Sequence, residues 1–258
     1  MLFRSAALAP DLILTQAACD VCAISAADVE AAVKRSGVPA RVLALSPETL
    51  ADVFRDVLVV GEAAGRLAKA REVVARLKAR VASVGWRVGA MRGRHGRLEA
   101  CPTGSHGRLE ACPTAGRQAE ACPTVAMIEW LDPPMAAGNW VPELVRLAGG
   151  NDVLGKPGAH SHWITWDDVA AADPDVVVLV PCGFTLDRTI QDSRSTAVRP
   201  HLERLRAFRE GRCFAVDGHN LFNRPGPRLV DSLELLAELL NPGAFRFPNV
   251  GQASACLK

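Results

Sequence analysis

The sequence predicts an α/β protein of two lobes with parallel sheets joined by one long helix, the first lobe incomplete. Three observations carry this. A faint duplication pairs Ala9-Pro10-Asp11-Leu12-Ile13-Leu14 with Asp173-Pro174-Asp175-Val176-Val177-Val178, and Arg41-Val42-Leu43-Ala44-Leu45 with Arg212-Cys213-Phe214-Ala215-Val216. Between the copies lies the longest helical pattern of the chain. Ahead of the second copy, a strand runs into a loop crowded with tryptophan and proline before the next helix begins. Strands alternating with helices in both copies call for parallel sheets.

The elements follow in order. The apolar run after Asp11 reads as a strand and leads to Cys19-Asp20-Val21-Cys22, after which Ser25 is placed to cap a helix. Arg41 to Leu45 reads as the next strand, and an amphipathic helix starts from about Pro47. From Ala63 to Val84, the residues Leu67, Ala70, Val74, Leu77, Val81 and Val84 recur in three- and four-residue steps and make one apolar stripe. At 1.5 Å per residue this helix spans ~33 Å, the length of a strut between lobes.

Residues 93–124 differ in kind. Gly96-Arg97-Leu98-Glu99-Ala100-Cys101-Pro102-Thr103 recurs from Gly107 to Thr114, and in decayed form from Gly116 to Thr124. Such short polar units build neither a solenoid nor a core, so the segment is expected to be a disordered expansion looped out of the fold. His95, Cys101, His106, Cys112 and Cys122 offer zinc ligands, but none of them is paired at the short spacing of structural zinc sites.

The second lobe opens with a buried strand from Val125 to Trp130. The loop Leu131 to Trp140 then leads into a helix from Val141 to Ala148, stopped by Gly149-Gly150. A rigid, indole-rich loop at the carboxyl end of a strand suits a large flat ligand better than proton chemistry. Thr165 and Asp168 form a capping-box pattern for another helix. The strand after Asp175 leads to Pro181-Cys182-Gly183-Phe184, and the strand ending at Val216 leads through Asp217 to Arg228 into a helix from about Pro227. The resulting boundaries are a shortened first lobe over 1–60, a linking helix over 61–88, a tandem-repeat insertion over 89–124 and a second lobe over 125–258.

Composition narrows the function. The chain has 258 residues, a net charge of +2 with acids and bases interspersed, and no tyrosine. That balance argues against nucleic acid or an acidic membrane surface as partner. No run approaches the roughly 18 apolar residues of a membrane helix, and the first residues read without a signal peptide. The eight cysteines do not form a secreted disulfide framework by spacing.

Three cysteines stand where chemistry is plausible. Cys19 and Cys22 follow one strand and Cys182 follows its counterpart, so facing lobes bring all three to one cleft. They could form a redox pair, ligate a soft metal, or serve as small polarizable lining. His160 and His162, spaced i and i+2, could join a metal site. Trp163 and Trp166 could extend the aromatic lining or cap the lobe core. The phosphate loop, the nucleophile elbow and the zinc-protease helix motif are all missing, which favours binding over catalysis.

As a set, Asp11 to Ile24, Glu129 to Leu144 with its following Ala-Gly-Gly, Asp173 to Phe184, and Asn223 to Asp231 resemble the cobalamin-binding branch of the periplasmic-binding-protein family. These are substrate-binding components of ABC importers with a helical backbone, related to iron-siderophore receptors. The resemblance implies two Rossmann-like lobes, no catalysis, no required cofactor, and cobalamin or a related corrinoid held between the lobes. It implies an ABC permease as partner and a periplasmic or extracytoplasmic place of work. Trp130, Trp140, Phe184 and Phe222 would supply apolar and stacking surface. Cys19, Cys22 and Cys182 would line the cleft, and Gln16 and Asn220 would offer polar contacts. Family members carry a strand and helix before the equivalent of Asp11, so the resemblance also marks the first lobe as shortened. Two other readings are kept: a metal, haem or siderophore binder using the Cys and His residues, and a thiol redox enzyme built on Cys19 and Cys22.

Overall fold

The computed structural model describes residues 8–16, 25–92, 122–248 and 254–257. Cys19, Cys22 and the repeat units through residue 121 lie outside the described residues. The zinc reading of the repeat and the redox reading of Cys19 and Cys22 fall there too. Cys122 is described and exposed.

The first lobe starts with β1 (Leu12–Gln16), α1 (Ala26–Ser36) and β2 (Arg41–Leu45). The two strands pair in parallel, Leu12 opposite Arg41 through Gln16 opposite Leu45. Ser25 caps α1 as expected, its side chain accepting from the Asp28 amide. This unit is thinly packed: α1 has no buried residue, and Leu14 is 49 % exposed.

The helix expected from about Pro47 and the longer one expected from Ala63 are both present. α2 (Leu50–Ala63) carries a Thr49–Asp52 capping box, and α3 (Leu67–Met91) follows it. The longer one starts at Leu67 rather than Ala63 because Gly65 takes φ +65°, a left-handed turn that reverses the chain. The predicted stripe is real within α3, where Ala70, Val74, Leu77 and Val84 are buried. It extends one turn further, to Val88.

The second lobe contains β3 (Thr124–Leu131), β4 (Pro134–Ala136), α4 (Val141–Leu147), β5 (Asn151–Asp152), β6 (His162–Trp163) and α5 (Trp166–Ala172). It continues with β7 (Val176–Leu179), α6 (Leu186–Ser193), α7 (Arg199–Arg204), α8 (Arg206–Arg209), β8 (Cys213–Val216), a π-helical turn (Gly218–Phe222), α9 (Leu229–Leu240) and β9 (Ser254–Cys256). The sheet runs β6-β4-β3-β7-β8-β9, with β5 also paired to β3. Its centre, β3, β7 and β8, is parallel as predicted. Its edges are not. β4 returns antiparallel from β3 through the turn Asp132-Pro133, and β9 pairs antiparallel with β8. The β3–β4 pair is a hairpin, which needs only a tight turn, whereas the connection from β8 to β9 runs through α9.

Strand alternation sorts the core into two layers. Val125, Met127, Val176, Val178 and Val216 face one side with α2, α3, α4 and α9. Ala126, Ile128, Val177, Leu179, Cys213 and Ala215 face the other with α5, α7 and α8. Continuous apolar strands covered on both faces are what a central parallel sheet requires. Leu50, Val53 and Phe54 of α2 belong to the first layer, so the α2–α3 hairpin is fused to the second lobe rather than bridging freely.

Candidate functional site

A cavity of about 530 Å³ opens between the two lobes. Leu14, Thr15 and Gln16 of β1, Leu45 of β2 and Asp56 of α2 line it from one side. Cys182 and Gly183 after β7, and His219, Asn223, Arg224 and Pro225 after β8, line it from the other. Apart from Asp56, the wall consists of strand ends and the loops that leave them. This is the crevice at strand carboxyl ends where open α/β sheets hold ligands.

The turn after β8 is built to present those residues. Asp217 accepts from the Asn220 amide at 2.8 Å, and the Asn223 amide closes the turn on the Gly218 carbonyl at 3.1 Å. A Cβ on Gly218 would stand 2.5 Å from the Pro181 carbonyl, so only glycine lets the turn press against the end of the β7 segment. The His219 amide donates to the Phe184 carbonyl at 2.9 Å, and the Asn223 side-chain amide donates to Val180 at 3.2 Å. Ser232 of α9 holds the Leu221 carbonyl at 2.8 Å. Arg224 then lies 3.4 Å from the His219 ring. The loops after β7 and β8 are thereby one hydrogen-bonded unit.

The sequence-predicted residues divide. Gln16 and Cys182 line the cavity. Cys182 is positioned by its amide, which donates to the Glu129 carbonyl at 3.0 Å. Trp130 and Phe184 are brought together beside it, ring centroids 5.4 Å apart and edge to face, with the Arg188 guanidinium 5.1 Å over the Phe184 ring. Asn220 is exposed and spends its side chain on Asp217 at 2.8 Å. Trp140 and Phe222 are corrected: both are core, 5 % and 1 % exposed. Their bulk fills the layer between the sheet and α9, and apolar burial there outweighs presentation to solvent. Trp166 caps the other layer, stacked on His201 at 5.8 Å, while Trp163 stays 60 % exposed. His160 and His162 are exposed as well. Among the described residues, no group of three or more His, Cys, Asp or Glu side chains is placed to hold a metal ion.

Sequence reasoning missed Asp56, His219, Asn223, Arg224 and Pro225 as lining. The last four sit in the motif after β8, and the strand-end rule would have found them. Asp56 carries no local signal, because it reaches the cavity only through the packing of α2.

Three carboxyls are raised by burial. Burial pushes Asp56 up, opposed by Arg55. Burial pushes Glu129 up, opposed by hydrogen bonds from Ser161 and the Gly138 amide. Burial pushes Asp152 up to about 6, opposed by the Gly155 and Leu154 amides. Glu129 and Asp152 lie under the tryptophan loop, away from the lining. The lining combines apolar side chains with a few polar groups, a geometry that suits holding a solute. No described helix is long and apolar enough to cross a membrane.

No protein-family model matches the chain, and no curated protein does. Solved structures do. A periplasmic heme-binding protein from Pseudomonas aeruginosa superposes with a TM-score of 0.69 at 19 % identity, over 94 % of this chain and 76 % of that one. The periplasmic heme-binding protein RhuT from Roseiflexus gives 0.60 at 18 % identity, over 91 % and 76 %. An ABC-type Fe3+-hydroxamate transport system structure from Saccharomonospora viridis gives 0.60 at 23 % identity, over 91 % and 70 %. These superpositions give the chain the fold of the periplasmic solute-binding proteins of ABC importers.

Proposed function

We propose that the protein is a non-enzymatic solute-binding component of an ABC importer, and that its solute is cobalamin or a related corrinoid held in the interlobe cavity. One observation carries the reading: an open cavity with a few fixed polar groups among Leu14, Leu45 and Pro225, walled by strand ends from both lobes. Its volume is in the range of small-molecule sites. The edge-to-face pair of Trp130 and Phe184 adds aromatic surface next to Cys182 and Gly183. The partner in this reading is a permease, the place of work is extracytoplasmic, and no cofactor is required.

The test is calorimetric titration of folded protein with cyanocobalamin in reducing buffer. Saturation near one equivalent supports the reading, together with a raised unfolding midpoint, since a ligand that binds only the native state stabilises it by mass action. A folded protein that takes up no cyanocobalamin overturns it.

A second reading has its own support. His219 and Cys182 both stand on the cavity wall and offer an imidazole and a thiol, which are iron ligands. Two of the three structural neighbours described above are heme-binding proteins by name. Haem in place of a corrinoid would show as a haem absorbance band that shifts on binding and is lost in His219→Ala.

A further inference from the structure

We infer that Asp56 sets ligand specificity in this cavity: its carboxylate accepts a hydrogen bond from an N–H donor on the solute, selecting an amide-bearing tetrapyrrole over one whose periphery carries carboxylates. The inference rests on the proposed solute-binding role and deepens it.

Asp56 comes to the cavity from α2, facing residues of the other lobe. Its Oδ2 is buried and has no hydrogen-bond partner among the described residues. The adjacent cation is engaged elsewhere, since Arg55 pairs with Asp52 at 2.9 Å. Asn223, on the other lobe, repeats the situation. Its side-chain amide donates to Val180, while its Oδ1 is buried and unpartnered among the described residues. The two lining residues with unsatisfied buried atoms therefore both lack a donor.

A buried acceptor left without a donor is costly, and a solute that brings N–H groups relieves that cost. A solute rimmed by carboxylates brings more acceptors and adds like-charge repulsion against Asp56. Sites built to hydrogen-bond a particular group reject the analogue that lacks it. Corrinoids carry peripheral primary amides, whereas haem carries propionates. The polarity of this wall thus favours the first ligand class over the second.

The experiment compares two corrins that differ only in this respect: dicyanocobinamide, with amide side chains, and its hydrolysed polycarboxylate. Calorimetry on the full chain gives a Kd for each. Their ratio is insensitive to the fraction of protein folded. Wild type is expected to prefer the amide form by about tenfold or more, the scale of one hydrogen bond to a charged group. Asp56→Leu is expected to lose most of that preference. Asp56→Asn, which keeps the shape and one acceptor but loses the charge, is expected to fall between and to gain affinity for the carboxylate form. Equal binding of both corrins by wild type, or an unchanged ratio in both variants, overturns the role of Asp56 while leaving corrinoid binding intact. Binding of neither corrin by folded wild type overturns the solute assignment and this inference together.

Discussion

The indole of Trp140 donates a 2.8 Å hydrogen bond to the carbonyl of Phe222. It ties the tryptophan loop, at the end of β3, to the turn after β8 that presents His219, Asn223 and Arg224. Both residues are buried, so this bond is made out of water, and removing the donor leaves the Phe222 carbonyl orphaned. Trp140→Phe keeps an aromatic ring but deletes the donor and part of the volume. It is expected to cost about 2–3 kcal/mol, from the stranded carbonyl and the void together. The check is the urea midpoint, at unchanged m-value. Ligand affinity should fall in the same variant, although the indole does not line the cavity.

How much of this was legible in the sequence divides along physical lines. The central strands were, because Val125 to Ile128 and Val176 to Leu179 are apolar without interruption and a strand buried on both faces must be. The caps at Ser25 and Thr165 were, because an N-cap is a local event. The start of the long helix at Leu67 rather than Ala63 was not, since Ala63 and Ala64 favour a helix and only the left-handed φ of Gly65 shows the reversal. The orientation of Trp140 was not, because a tryptophan in a loop has the same composition whether it faces solvent or core. What decided it was the space above the sheet left by α4 and α9. Asp56 was illegible for the same reason: the cavity it lines is completed by β1, β2 and the loops after β7 and β8, none of them on its own helix.

Asp152 gives the protein a pH-dependent stability. Its Oδ1 accepts from the Leu154 and Gly155 amides, at 3.0 and 2.8 Å, while Oδ2 is buried without a partner among the described residues. Burial pushes its carboxyl from 3.8 up to about 6, opposed first by the Gly155 and Leu154 amides and then by His162. The folded protein therefore holds a proton that the unfolded chain releases between those two values. This contribution is fully present below about pH 4 and is lost as pH rises through about 6. Asp152→Asn keeps the acceptor and removes the charge. It should raise stability at pH 7 by about 2 kcal/mol and flatten this part of the profile between pH 4 and 6. Melts of both proteins across that range decide it. A variant no more stable than wild type at pH 7 refutes the assignment.

Arg80 and Glu234 pin the helical hairpin to the second lobe. The guanidinium meets Glu234 through two bonds, at 2.8 and 2.7 Å, and reaches Asp231 at 2.6 Å. Glu234 is 5 % exposed, so it depends on this partner. Arg80→Ala should destabilise by about 3 kcal/mol, because it leaves a buried charge uncompensated. Removing both sides, Arg80→Met with Glu234→Leu, should return the protein to within about 1 kcal/mol of wild type, since the desolvation cost disappears along with the attraction. A double variant as unstable as the single one would mean that the pair is worth more than its desolvation costs.

Gly61 and Ala70 set how closely α2 and α3 cross. A Cβ built on Gly61 would stand 2.3 Å from the Ala70 Cβ, well inside contact distance. Gly61→Ala must therefore push the two helices apart, at a cost of about 1–3 kcal/mol for an overpacked contact. Asp56 lies between the α2 cap and this crossing, so the displacement should also reach the cavity wall and weaken solute binding. The compensating exchange separates the steric effect from any other. With Ala70→Gly in the same chain, the methyl moves from one helix to the other, and the clash is relieved. Stability should recover apart from roughly 1 kcal/mol for a new glycine within a helix, and binding should recover with it. If stability returns but binding does not, the crossing distance is not what places Asp56. The first turn of α2, held by the Thr49–Asp52 cap and by Glu143 accepting from the Leu50 amide at 3.0 Å, would then be what fixes it.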